Sequence, residues 1–132
     1  MFSEGQIFQF QFEIGPEIHA GFVELFKDRN PMHTDPEFAA KHGFPKIVMH
    51  GNILNGLLSY FIGEGLPTKN VMIIGQSIHF HRPFFIGDNL TLVAKVETIS
   101  ESVGVVDFAF QFKNSENQRI AKGNIQIKEL RK

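Results

Sequence analysis

The chain has 132 residues, 13 basic and 14 acidic, for a formal net charge of −1. That length fits one domain over residues 1–132, able to bury roughly two-thirds of its unfolded surface. The absence of cysteine excludes disulfides, thiolate metal sites and a cysteine nucleophile, and without a block of like charge nothing advertises nucleic acid or an anionic membrane.

The N-terminal MFSEGQIFQF lacks the basic and apolar regions of a signal peptide. No apolar run approaches the ~18 residues of a membrane span, so a cytoplasmic protein is expected. From Ile7 to Ile14, Phe8, Phe10, Phe12 and Ile14 alternate with Gln9, Gln11 and Glu13, the period-2 pattern of a half-buried strand. Gly15-Pro16-Glu17 stops that strand and starts a helix. Its apolar stripe is Ile18, Phe22, Leu25 and Phe26, and it must end before Pro31, which removes an amide donor. A short helix is expected from Asp35 or Pro36 to His42, stopped by Gly43.

His50 to Ile62 is apolar on almost every face, which predicts a helix buried all round. Asn52, Asn55 and Ser59 are its exceptions, spaced to stack into one polar stripe. Beyond Pro67 the pattern turns to strands: Val71–Ile74 with Ile78 and Phe80, then Leu90 to Val96, Val103 to Phe112, and a last one carrying Ala121, Gly123, Ile125 and Ile127. The order predicts an α+β fold in which a curved antiparallel sheet enfolds one long helix, the architecture called the hotdog fold. A flat sheet with helices on one face would instead call for a central helix with one polar side.

The stretch DRNPMH, Asp28 to His33, is ordinary turn chemistry when taken alone, with Asp and Asn capping backbone amides. It is also a stiff loop that sets a carboxylate and an imidazole five residues apart. Those two groups can share one water, one taking its proton while the other orients it, with Asn30 holding the loop. His50-Gly51 at the head of the buried helix strengthens the chemical reading. Free amides and the helix dipole there suit developing negative charge, and Gly51 would let a carbonyl approach its N–H.

These motifs resemble those of the MaoC-like dehydratases, particularly the (R)-specific enoyl-CoA hydratases. Asp28-Arg29-Asn30-Pro31-Met32-His33 is similar to their D-x-N-P-[aliphatic]-H, and Ile47-Val48 with His50-Gly51 looks like their I-V-H-G. Gly75-Gln76-Ser77 and Pro83, Gly87, Asp88 look like later landmarks of the family. The resemblance implies that Asp28 and His33 activate water for addition to a trans-2-enoyl thioester, giving an (R)-3-hydroxyacyl thioester. It implies that Asn30, His50, Gly51 and Ser59 serve the substrate. No metal or other cofactor is implied, coenzyme A or acyl carrier protein being part of the substrate, and a homodimer is the implied assembly. Two departures stand out: Phe26-Lys27 precedes the aspartate where the family usually has a small pair, and Met49 is inserted before His50.

A hotdog thioesterase would place a carboxylate on or near the buried helix, where this chain has only Glu64 at the far end. A non-catalytic acyl-binding subunit would be signalled by loss of Asp28 or His33, and both are present. His79 and His81 are expected on a half-exposed strand face rather than in a zinc site, and His19 and His42 on helix surfaces.

Overall fold

A computed structural model describes residues 1–130. The element order is β1 (Ile7–Glu13), α1 (Pro16–Phe26), α2 (Pro31–Thr34), α3 (Pro36–Lys41), α4 (Ile53–Glu64), β2 (Val71–Phe80), β3 (Asn89–Ser100), β4 (Val105–Lys113) and β5 (Arg119–Glu129). The five strands form one sheet in the order β1-β3-β4-β5-β2, with every neighbouring pair antiparallel. The consecutive strands β3, β4 and β5 make the middle. β1 and β2, which flank the helices in sequence, close its two sides.

Register explains why the alternating residues work. One row across the sheet runs Phe8, Ala94, Phe110, Gly123, Ile78, and the next runs Phe10, Leu92, Phe112, Ala121, Phe80. In the first row, and at Ala121 in the second, large residues flank small ones, which lets the sheet curve around a helix without overpacking. A side chain at Gly123 would put its Cβ 1.9 Å from the Ser77 carbonyl oxygen. α4 fills the concavity with Ile53, Leu54, Leu58, Phe61 and Ile62. The Phe61 ring lies 5.6 to 5.7 Å from those of Phe8, Phe10 and Phe108, and burying one such side chain contributes roughly 1.5–3 kcal/mol.

The structure corrects the expectation of a helix buried all round. Asn52, Gly56, Ser59, Tyr60 and Gly63 form an exposed face along α4. Two of these are glycines, which offer no side chain to betray a solvent-facing stripe. The apolar stripe of α1 is also only half used: Ile18 and Phe22 pack on the core, while Leu25 and Phe26 are 74% and 67% exposed. On β2, Met72, Ile73, Ile74 and Phe80 are exposed as well, because this strand is an edge with a bulge between Ile73 and Gly75. Among the described residues, no helix is long and apolar enough to cross a membrane.

Candidate active site at the Asp28–His33 turn

The turn is built by its own side chains. Lys27 ends α1 in the left-handed conformation, φ 63°, with its N–H on the Val23 carbonyl. One Asp28 carboxylate oxygen accepts from the Asn30 N–H at 3.1 Å, and the Asn30 side chain accepts from Met32 N–H at 3.0 Å. Asn30 is thus the N-cap of the one-turn helix α2, with Pro31 at its first position, the place where a missing N–H matters least. The capping chemistry is real, and it leaves the other Asp28 oxygen free for a second task. The Val48 N–H reaches the Met32 carbonyl at 3.0 Å, which pins the turn to the segment leading into α4.

Three imidazoles gather behind it, and their partners set their tautomers, because a carbonyl oxygen only accepts. His33 donates through Nδ1–H to the Val48 carbonyl at 2.7 Å, so its Nε2 carries the lone pair when the ring is neutral. His50 donates through Nε2–H to the Asp28 carbonyl at 2.9 Å. His19 donates through Nε2–H to the His33 carbonyl at 2.8 Å. The His33 and His50 rings stack with centroids 4.0 Å apart, and Phe22 covers the His50 ring at 4.5 Å.

Asp28, His33 and His50 bring one ligand atom each within 4.8 Å of one another. His50 is 2% exposed, and burial is the largest influence pushing it below the ordinary 6.5; the hydrogen bond to Asp28 opposes this, and His33 adds to it. His50 is therefore uncharged at neutral pH, and its approach to the Asp28 carboxylate at 4.0 Å is not an ion pair.

Two cavities open on this group. One, about 740 Å³, lies between α1 and α4, walled by Ile18, Phe22, Leu25, Phe26 and Leu57, with Asp28 among its lining residues. The other, about 360 Å³, is lined by His33, Gly51, Phe80, Arg82 and Phe84. A Cβ at Gly51 would meet the Phe80 ring at 2.9 Å. Among the described residues no acceptor takes the Gly51 N–H, and the Asn52 side chain does not cap α4.

Asp28, His33, His50 and Gly51 thus come together, with Asn30 supporting the turn. Ser59 does not join them: it sits further along the exposed face of α4 and lines neither cavity. Asn52 and Asn55 line the larger cavity, bonded to each other at 2.8 Å, and Gln76 of β2 donates to Asn55. The inserted Met49 is core, with its N–H on the Phe84 carbonyl at 2.9 Å. Lys27 lies 3.8 Å from Glu24. His79 is exposed on β2, and His81 is exposed just beyond the strand's end rather than on its face. His19 is the surprise, since a surface position was expected for it. The available signal was its place three residues before Phe22, on the apolar face of α1.

The model of the MaoC-like domain matches residues 8–118. The chain belongs to the MaoC-like domain family. Two curated relatives of this MaoC-like protein are the (R)-specific enoyl-CoA hydratase of Aeromonas caviae, 40% identical over 82 residues, and the 3-hydroxybutyryl-CoA dehydratase of Methylorubrum extorquens, 36% identical over 84. The matched stretches are 62% and 64% of this chain and 61% and 54% of those relatives. In three dimensions it is similar to the (R)-hydratase from A. caviae involved in PHA biosynthesis, at 30% identity and a TM-score of 0.89 over 97% of each chain. The fold of this MaoC-like protein is a hotdog fold.

Proposed function

We propose that this MaoC-like protein is a hydro-lyase that adds water to a trans-2-enoyl thioester to give the (R)-3-hydroxyacyl thioester, and runs the reverse dehydration. The observation that carries the reading is the Asp28–His33 pair, held in a stiff turn between an apolar cavity and an amide-bearing helix start. His33 accepts a proton from water at Nε2 while the free Asp28 oxygen orients that water. The water oxygen bonds to C3, and electron density moves onto the thioester oxygen, which the Gly51 N–H stabilises. The proton taken by His33 goes to C2, so the atoms of one water are added. The acyl chain lies against Phe22, Leu25, Phe26 and Leu57. Each bond change is heterolytic, so this scheme calls for no redox group; His33, Asp28 and the Gly51 N–H carry its proton transfers and charge, and coenzyme A or a carrier protein enters only as the thiol half of the substrate.

A second copy of the chain is the proposed partner. The β2 edge leaves a ladder unpaired and exposes Met72, Ile73 and Ile74, a surface that natural sheets pair or cover. The thioesterase alternative is not favoured. Glu64 is bound to Lys69 at the far end of α4, and the other carboxylate lining the larger cavity, Glu17, comes from the first turn of α1.

The deciding assay is crotonyl-CoA hydration, followed by loss of the conjugated enoyl absorbance with chiral analysis of the product. The wild type should form the (R)-alcohol, and Asp28→Asn or His33→Ala should lose about 10²–10⁴-fold in rate with the circular dichroism spectrum intact. Release of free thiol, or wild-type turnover in either variant, would overturn the reading.

A further inference from the structure

The reaction outlined above leaves the most buried titratable side chain of the site without a role. His50 lines neither cavity, so it is not placed to touch substrate. Its Nδ1 is enclosed and has no hydrogen-bond partner, an arrangement that penalises a protonated ring, since a charged N–H there would lack an acceptor. Its Nε2–H, by contrast, is fully used on the Asp28 carbonyl. The charged or titratable groups facing it are Asp28 and His33 from the turn and His19 from α1, and the Phe22 ring lies against it at 4.5 Å.

We propose that His50 is a positioning residue, an imidazole locked in its Nε2–H tautomer that holds Asp28 through its backbone carbonyl and backs the ring of His33. The turn is otherwise fixed at Met32 and His33 by Val48, at the His33 carbonyl by His19, and by its internal caps. The bond from His50 is the contact that anchors its aspartate end to the head of α4. Because that bond reaches the main chain, it constrains where the carboxylate starts without consuming either of its oxygens. A ring that does not take up a proton also spares the His33 imidazolium a second positive charge at stacking distance when water is deprotonated. The inference rests on the hydratase reading for its kinetic consequences but not for the tautomer.

The test therefore begins on the wild-type protein with imidazole ¹⁵N correlation spectra, which need no activity; His50→Gln assigns the signals. One protonated and one bare nitrogen, with Nε2 bearing the proton and the pattern unchanged as the pH passes through the ordinary imidazole value of 6.5, is expected. An Nδ1–H tautomer, or protonation of the His50 ring at that ordinary value, overturns the proposal. Kinetics then separate support from chemistry. His50→Phe keeps a stacking ring without a donor and should lose about 10²-fold in kcat with little change in KM. His50→Gln restores an N–H at similar reach and should recover about tenfold of that loss, again in kcat rather than KM. Full activity in His50→Phe, no recovery in His50→Gln, or a loss carried by KM would each defeat the idea. If His50→Phe fails to fold, the spectra and His50→Gln decide it. If the wild type hydrates no enoyl thioester, the spectra alone decide it, and the hydratase reading fails separately.

Discussion

The Nε2–H of His19 donates to the backbone carbonyl of His33 across 2.8 Å, joining α1 directly to the residue proposed as the base. A hydrogen bond of this kind contributes about 1 kcal/mol net, and here it acts on the orientation of α2 more than on global stability. His19→Ala should lower kcat roughly fivefold, the factor that corresponds to 1 kcal/mol, and leave KM nearly unchanged. Parallel kinetics and thermal melts check this. An unchanged kcat would show that the contacts from Val48 hold His33 unaided.

Acid should weaken the fold through His50. Burial keeps its folded-state pKa below the ordinary 6.5, so between those two values the unfolded chain binds a proton that the folded chain does not. Stability from this group is whole above about 6.5 and is lost progressively as the pH falls below it. Urea midpoints measured from neutral pH downward should decline for the wild type. His50→Gln should show a shallower decline, the remaining slope belonging to other groups. Parallel slopes for the two proteins would show that His50 protonates freely in the folded state.

The legible parts of this molecule were those written in short-range periodicity. Phe8, Phe10 and Phe12, and Leu90, Leu92, Ala94 and Val96, each announce one buried sheet face, and the paired rows of the sheet follow from them. The Asp28–His33 turn was legible because proline and asparagine leave few conformations open. The solvent side of α4 was not, because Gly56 and Gly63 look neutral in a pattern and Tyr60 counts as apolar while half exposed. Val71 to Ile74 is an unbroken apolar run in the sequence, and whether such a run lies at the centre or the edge of a sheet depends on strand order. His19 meets His33 only through the packing of α1, which no local spacing encodes. Ser59 shows the opposite limit: a sequence match placed it with the substrate, while the exposed face of α4 carries it away from both cavities.

Lys27 occupies the conformation that ends α1, with φ at 63°, where a side chain strains the backbone by about 1–2 kcal/mol and glycine does not. Its ammonium lies 3.8 Å from Glu24 and both side chains are largely exposed, a pairing of little consequence for stability. Lys27→Gly should therefore raise the stability of the fold by roughly 0.5–1 kcal/mol, the gain being trimmed by the greater freedom of glycine in the unfolded chain. Denaturant titration reads the shift. A destabilised variant would mean that the lysine stem packs usefully on α1.

Ile74 is 47% exposed and falls at the bulge, where the register passes from Ile73 to Gly75, so it takes no part in the β2–β5 pairing. A charge placed there should leave the chain's own sheet intact while opposing the approach of a second edge, as charged residues do on the sheet edges of natural proteins. Light scattering should give the wild type twice the 15.0 kDa chain mass and Ile74→Lys the single mass, with matching circular dichroism. A monomeric wild type at micromolar concentration would remove the second copy as partner. A dimeric Ile74→Lys would move the interface away from this edge, and the exposed face of α4, with Gly56, Tyr60 and Gly63, would then be the surface to charge next.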